Sequence, residues 1–278
     1  MISQPFEYSK AATLADALKA VAAGAKPLAG GMSLIPLMKL RLAAPDSIVD
    51  IGSIAGLNYI KEEGGSIHIG AGSTHHQIEA SALLRAKCPL IAETASWIGD
   101  VQVRNRGTIG GSVAHADPAA DYPAALIALE AKFVLANQNG ERTVSAADFF
   151  VDTFTTALEP GELVREVIVP AEAGGVGTSY QKMVQPASGF AIVGVAARIA
   201  SSGGKITMAR VGVTGVSPTP YRAANVEAAL ANGDVAAASA LVSEGVEANS
   251  DIHASANYRL QMAKVFCARA IRAAMSRA

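Results

Sequence analysis

The stretch Arg104-Asn-Arg-Gly-Thr-Ile-Gly-Gly-Ser-Val-Ala-His-Ala-Asp-Pro-Ala-Ala-Asp-Tyr-Pro123 places Gly107, Gly110 and Gly111 within five positions. Side chains are almost absent from its middle, so backbone N–H groups there could approach a ligand closely. An earlier stretch, Pro27-Leu-Ala-Gly-Gly-Met-Ser-Leu-Ile-Pro36, contains a similar glycine pair. Two separate glycine-pair turns in one chain predict a ligand with two phosphates, held from both sides.

Composition narrows the class of protein. The chain has 278 residues, half of them hydrophobic, which suffices for one large domain or two modest ones. The net charge is −1 and no basic run stands out, so we expect no nucleic-acid partner and no anionic membrane surface. No apolar run reaches the ~18 residues of a membrane span, and the N-terminus lacks the pattern of a signal peptide. We therefore expect a cytoplasmic protein.

The two cysteines, Cys88 and Cys267, lie far apart in unrelated contexts. Two such residues argue against a disulfide framework, a cysteine-based zinc site and an iron–sulfur cluster held by this chain. No metal site is predicted in the chain.

Local patterns in the first part of the chain predict short helices alternating with strands. Thr13 and Thr74 each begin a predicted helix, and the second one, a capping box with Gln77, is expected to run towards Arg85. Asn139-Gly140 is typical of a hairpin, and a strand is predicted from Glu162 to Val169.

A boundary is predicted at Gly174-Gly175, where the patterning is interrupted. Beyond it, strands are predicted at Thr178–Val184, Phe190–Ala200 and Lys205–Val213, with a hairpin across Ser201–Gly204. Helices are predicted over about 222–231, 234–246 and 254–277. Strands followed by helices favour an α+β lobe.

Neither standard phosphate-binding signature is present, because Gly-x-Gly-x-x-Gly and the P-loop pattern are both missing. An isolated Gly-Gly pair is usually only a turn. Here Ser33, Thr108 and Ser112 place hydroxyls beside the glycines, and Asp117 and Asp121 are suited to sugar hydroxyls. These neighbours favour a phosphate-bearing nucleotide as the ligand.

Other polar residues near the turns have two interpretations each. His75 and His76 point about 100° apart on a helix, a poor metal pair, so surface or capping roles are favoured. His115 could reach a ribose or cap the turn. The arginines of Arg104-Asn-Arg106 could neutralise phosphate or form surface pairs. Trp97 is expected to pack rather than bind ligand.

Ala29-Gly-Gly-Met-Ser-Leu-Ile-Pro36 and Thr108-Ile-Gly-Gly111 resemble the paired FAD-binding motifs of molybdenum hydroxylase flavoprotein subunits. These are the medium chains of carbon monoxide dehydrogenase and its relatives, similar to the FAD domain of xanthine dehydrogenase. The resemblance covers nearly the whole chain, including Gln102–Arg106 and Pro160–Leu163.

The resemblance implies an α+β FAD-binding fold of the vanillyl-alcohol-oxidase-like (PCMH) type. Residues 1–172 would form the FAD-binding domain, with subdomains of about 1–55 and 56–172. Residues 173–278 would form a C-terminal carbon monoxide dehydrogenase flavoprotein-like domain with a three-stranded antiparallel sheet and helices.

The resemblance also implies roles for single residues. Backbone N–H groups of 30–33 and 108–111 would cradle the pyrophosphate, Asp121 would bind the adenosine ribose, and Lys182 would lie at the polar edge of the isoalloxazine. Phe190 would stack on the ring, where relatives often have tyrosine, and Met32 replaces the usual His or Gln. The FAD-binding set implied, with FAD held non-covalently, is Ala29, Gly30, Gly31, Met32, Ser33, Leu34, Ile98, Thr108, Ile109, Gly110, Gly111, Ser112, His115, Asp121, Val164, Lys182 and Phe190.

The function implied is that of an FAD-carrying electron-transfer subunit with no catalytic acid or base. Electrons would arrive from two [2Fe–2S] clusters of a small partner subunit, after oxidation of the substrate at the molybdopterin centre of a large subunit. The complex would be a dimer of heterotrimers that passes electrons to an external acceptor. The alternatives are a stand-alone flavin oxidoreductase of the same fold and a non-enzymatic nucleotide-binding or assembly module.

Overall fold

A small parallel sheet forms the N-terminal part of the molecule. The computed structural model describes residues 2–172, 174–203 and 205–278. Strand Ser47–Asp50 lies between Glu7–Lys10 and Lys26–Leu28 and pairs in parallel with both. Helices Leu14–Ala22 and Leu34–Lys39 make the crossovers that parallel pairing requires. The first helix begins at the predicted cap Thr13, which forms a capping box with Asp16.

A five-stranded antiparallel sheet forms the centre. Its order is Ile60–Glu63, Ser66–Gly70, Leu163–Pro170, Lys132–Asn137 and Gly140–Ser145. The middle strand therefore comes from a distant part of the chain, while both outer pairs are local hairpins. The hairpin predicted at Asn139-Gly140 is confirmed.

Short helices pack against one another and against this central sheet. The predicted capping box of Thr74 and Gln77 is confirmed, but its helix ends at Ala80, so the predicted extension to Arg85 is wrong. The cause is Ser81, which is extended and whose hydroxyl accepts from Leu84 N–H to begin a second helix. The helices of this region are His75–Ala80, Ala82–Lys87, Pro89–Ser96, Val101–Arg106, Ile109–His115, Tyr122–Ala128 and Ala146–Phe149, with 3-10 turn Ala55–Leu57 and ribbon Phe150–Asp152 and Thr155–Thr156.

A third, antiparallel sheet occupies the C-terminal part. Its long strands are Val176–Val184, Ala191–Ser202 and Lys205–Thr214. The three predicted strands are present, but the sheet has four, because Tyr221–Arg222 adds a short edge strand that the sequence pattern did not indicate. Gly204 of the predicted hairpin and residue 173 of the predicted boundary lie outside the described residues.

Helices close one face of the C-terminal sheet. Ala256–Met275 packs against it, and Ala224–Ala229 and Val235–Ala240 precede that helix, each followed by a 3-10 turn, Leu230–Asn232 and Leu241–Ser243. No helix in the described ranges is both long and apolar enough to span a bilayer.

Helix Tyr122–Ala128 joins the central and C-terminal parts. Each of its residues is buried. Gly212 of the C-terminal sheet lies so close to it that a Cβ there would be 2.0 Å from the carbonyl oxygen of Ala124. Tyr180 and Ala196 belong to the same hydrophobic cluster as the central sheet. The core is therefore continuous across the predicted domain boundary.

Candidate functional site: a cavity between two glycine turns

A cavity of about 650 Å³ lies where the two glycine turns meet the C-terminal part. Its wall includes both turns, the apolar side chains Leu34, Ile98 and Val164, and the rim residue Phe190, which is 45% exposed. The structure brings the predicted FAD-binding residues to this wall with two exceptions, Ile109 and Lys182. The wall also includes Asp117, which the sequence had indicated as suited to sugar hydroxyls, and residues outside the predicted set, among them Phe154, Leu158 and Leu163.

The first glycine turn, residues 29–33, connects strand Lys26–Leu28 to helix Leu34–Lys39. Gly31 has a φ of +77°, which favours glycine. The backbone N–H groups of residues 30–34 donate to no acceptor within the described part of the chain, and Ser33 makes no side-chain cap. This turn therefore offers a run of adjacent free donors to the cavity, the pattern of an anion-binding concavity.

In the second glycine turn, residues 107–112, the N–H groups of residues 109–112 are already paired, whereas the Thr108 N–H has no acceptor within the described ranges. Ile109 donates to Ser73 O (3.1 Å), Gly110 to Ala71 O (2.9 Å), Gly111 to the Thr108 hydroxyl (3.2 Å) and Ser112 to Thr108 O (3.0 Å). The N–H groups of residues 109–111 therefore already have acceptors within the protein, and the pyrophosphate contacts expected of residues 108–111 remain a prediction. Ile109 is fully buried in the core instead of lining the cavity.

The glycines of the second turn serve different purposes. A Cβ on Gly110 would lie 2.4 Å from Ala71 Cβ, so this glycine permits close packing. A Cβ on Gly111 would approach only the Thr108 hydroxyl, at 3.0 Å, and Gly111 faces the cavity. What the second turn presents to a ligand is a bare backbone surface with the hydroxyls of Thr108 and Ser112 beside it.

The two turns touch each other through Gly30. A Cβ on Gly30 would lie 2.0 Å from the carbonyl oxygen of Arg106 and 2.8 Å from Gly107 Cα. Gly30 is thus required by contact between the two backbones, which fixes the spacing of the turns.

A buried ionic cluster lies beside the cavity. Asp121 accepts from Lys182 Nζ at 2.8 Å and from the Tyr180 hydroxyl at 2.6 Å, and Lys182 also donates to Trp97 O at 3.0 Å. Burial raises the pKa of Asp121 to about 6, against the lowering effect of Lys182 and Tyr180. Asp121 lines the cavity, whereas the Lys182 side chain is fully buried behind it.

The contact between Asp121 and Lys182 was not among the contacts that the resemblance implied. The resemblance placed Asp121 at the adenosine ribose and Lys182 at the isoalloxazine, which are opposite parts of an extended dinucleotide. The structure places the two side chains in direct contact, and which part of the cofactor each one faces remains a prediction. Sequence spacing could not reveal this pairing, since the residues are on separate elements.

His75 is the main site residue that sequence reasoning missed. It was expected at the surface or as a cap, but it is 4% exposed, lines the cavity and lies 3.2 Å through Nδ1 from the Tyr122 hydroxyl. Burial, with a smaller effect of Arg104, lowers the pKa of His75 to about 4. The available signal was the capping box, which places His75 in the first turn of its helix; its contact with the second glycine turn is tertiary and leaves no local signal. His76 remains exposed.

The other open alternatives are partly resolved. His115 is half-buried, lines the cavity and packs 5.0 Å from the Phe154 ring, and burial lowers its pKa. Arg104 forms an ion pair with Glu79 at 2.9 Å, which agrees with its surface-pair interpretation.

Two family models match the chain. Residues 4–172 match the "FAD binding domain in molybdopterin dehydrogenase", and residues 178–274 match the "CO dehydrogenase flavoprotein C-terminal domain". The chain belongs to the flavoprotein subunit family of the molybdenum hydroxylases.

Relatives of this flavoprotein subunit match it along its length. The carbon monoxide dehydrogenase medium chain of Hydrogenophaga pseudoflava is 40% identical over 100% of this chain and 99% of its own. The glyceraldehyde dehydrogenase medium chain of Sulfolobus acidocaldarius is 39% identical, covering 98% of this chain and 99% of its own. A crystal structure of a cyanide-inactivated Cu,Mo-CO dehydrogenase matches with a TM-score of 0.96 and 39% identity, covering 100% of both chains.

Proposed function

We propose that this chain binds FAD non-covalently in the 650 Å³ cavity and acts as the electron-transfer subunit of a heteromeric molybdenum hydroxylase. The observation that carries the proposal is the run of free N–H groups at residues 30–34 on the wall of that cavity, within the family's FAD-binding domain. Adjacent backbone donors suit the oxygens of a pyrophosphate, and the volume lies in the ~300–1,000 Å³ range of ligand pockets.

The residues present fit FAD as follows. The first turn would hold the pyrophosphate, while the bare surface at Gly111 lets the cofactor lie against the second turn. Leu34, Ile98 and Val164 would line the apolar walls, with Phe190 at the rim. Both oxygens of Asp121 retain accepting capacity for a cofactor hydroxyl, and Lys182 keeps that carboxylate ionised from behind. The remaining predicted contacts, Ala29, Met32, Ser33, Ser112 and His115, are proposed from their place on the wall.

Bound FAD supplies the ability to accept electrons singly and to pass them on in pairs. The two cysteines of the sequence, Cys88 and Cys267, are poorly suited to hold an iron–sulfur cluster, because both are buried and burial raises the pKa of each thiol to about 12. The [2Fe–2S] clusters would therefore belong to a small partner subunit and molybdopterin to a large one, in a dimer of heterotrimers. We further propose a cytoplasmic location and an external electron acceptor.

Cofactor analysis of the purified protein tests this proposal. We expect an oxidised flavin spectrum, with the flavin released as FAD on denaturation. Gly111→Asp should weaken FAD binding at least 100-fold, because it adds bulk and negative charge to the cavity wall beside the bound phosphates.

Gly56→Asp is the matched control. It introduces the same negative charge at an exposed position, where a Cβ would meet nothing within 4 Å. A colourless protein that fails to take up added FAD would refute the proposal. Reduction of the flavin by an organic substrate in the lone subunit would favour the stand-alone oxidoreductase instead.

A further inference from the structure

His75 is held against the second glycine turn by the backbone. Its N–H donates to Gly107 O at 3.0 Å, and Thr74 forms a bridge with Thr108. The ring is 4% exposed and forms part of the cavity wall. Its position is therefore set by the same strand-like contact that places the second turn.

The Tyr122 hydroxyl determines which ring nitrogen of His75 bears the proton. Tyr122 is fully buried, and its hydroxyl has one hydrogen-bond partner among the described residues, His75 Nδ1 at 3.2 Å. If Nδ1 were the donor, the tyrosine proton would be buried without an acceptor, which costs about 1–3 kcal/mol. Tyr122 therefore donates to Nδ1, and Nε2 carries the proton of the neutral ring.

The Nε2–H group lies beside Gly107 at the cavity wall. A Cβ on Gly107 would be 2.5 Å from Nε2, so glycine leaves this edge of the ring uncovered. No acceptor in the described ranges is hydrogen-bonded to Nε2. The N–H groups of residues 109–112 in the second turn are hydrogen-bonded within the protein. His75 can therefore serve as a side-chain donor on that side of the cavity.

We propose that His75 Nε2–H donates a hydrogen bond to an oxygen of the bound FAD and that Tyr122 is the positioning residue that fixes this tautomer. The inference rests on the proposed function, because it requires FAD in this cavity. The proposed His75 donor lies beside the second turn, where the N–H groups of residues 109–112 are already hydrogen-bonded within the protein.

Two variants of His75 separate its two hydrogen bonds. The amide nitrogen of glutamine can reach the position of Nε2, whereas that of asparagine reaches only the position of Nδ1, next to Tyr122. We expect His75→Asn to raise the FAD Kd about tenfold, the loss of one hydrogen bond, and His75→Gln to stay within about threefold of the parent. Fluorescence titration of the apoprotein gives both constants.

Nitrogen-15 NMR of the unsubstituted, histidine-labelled protein supplies a readout that does not depend on a variant folding. We expect the Nε2–H tautomer in the apoprotein and a shift of the Nε2 resonance when FAD binds. FAD binding with equal Kd in all three proteins and an unmoved Nε2 resonance would overturn this inference and leave the proposed function standing. Failure of the parent protein to bind FAD would overturn both.

Discussion

The two glycine turns have nearly the same sequence signature but differ in the hydrogen bonding of their backbone N–H groups. The N–H groups of residues 30–34 have no acceptor in the part of the chain that the structure describes, whereas those of 109–112 are all bonded within the protein. The first turn can bind an anion with a run of backbone N–H groups. The second turn is held by hydrogen bonds to Ala71 O and Ser73 O, so its backbone offers few donors. A glycine pair in the sequence thus indicates that another group lies close to the backbone. Only the structure shows whether that group is a ligand or a second segment of backbone.

The largest expected effect distinguishes the two glycines of the second turn. Gly110→Ala should lower the free energy of unfolding of the apoprotein by about 3 kcal/mol, because its Cβ would clash with Ala71 in the core. Gly111→Ala, one residue along the same helix, should be neutral or stabilising by up to about 1 kcal/mol. Urea unfolding measures both, and equal losses would show that the second turn is not braced as described.

Lowering the pH should reduce the free energy of unfolding of the apoprotein, because the buried His75 ring must then be protonated. Its pKa is about 4 when folded against a usual 6.5, so the neutral ring contributes stability above pH 6.5 that is lost as the pH falls towards 4. Between pH 7 and 5 the parent apoprotein should lose about 2 kcal/mol relative to His75→Asn. The exposed neighbour gives a control, His76→Asn, which should follow the parent. A parent-minus-His75→Asn difference that is constant with pH would contradict the burial of a neutral ring.

Amide hydrogen exchange compares the two turns directly. In the apoprotein, residues 30–34 should exchange fast and 109–112 slowly, since only the latter are hydrogen-bonded. Bound FAD should slow residues 30–34 at least tenfold and change 109–112 little. NMR-resolved exchange measures this; slowing confined to 109–112 would reverse the roles assigned to the turns.

The smallest effect concerns the hydroxyls that precede the two helices. Thr108→Ala should cost the apoprotein about 1 kcal/mol, because its hydroxyl caps Gly111 N–H. Ser33→Ala should stay within about 0.5 kcal/mol, since Ser33 makes no cap. Thermal unfolding of the two variants under the same conditions measures both losses of stability. Equal losses of stability in the two variants would contradict the difference in capping between the turns.

Much of the fold followed from local patterns. The cap at Thr13, the capping box at Thr74 and the hairpin at Asn139-Gly140 were predictable, because each depends on residues within a few positions. The helix predicted to reach Arg85 was overextended, since Ser81 fits a helical pattern equally well as an interior or a capping residue. Strand Tyr221–Arg222 is too short to leave a periodic signal.

The candidate site was predictable in position more than in chemistry. The turns were located correctly, but Ala71 O and Ser73 O, which accept from Gly110 and Ile109 of the second turn, come from a segment more than thirty residues away. The Asp121–Lys182 pair is likewise tertiary. The division of the chain into FAD-binding and C-terminal domains, and the FAD contacts of single residues, remain predictions.

The burial of helix Tyr122–Ala128 has a consequence for how the chain is made. The strands that cover it, Ala191–Ser202 and Lys205–Thr214, leave the ribosome long after the helix itself. Until then a wholly apolar helix has one side exposed to water, and nascent chains in that state are prone to aggregate. We therefore expect residues 1–172 made without the C-terminal strands to aggregate more readily than the full chain.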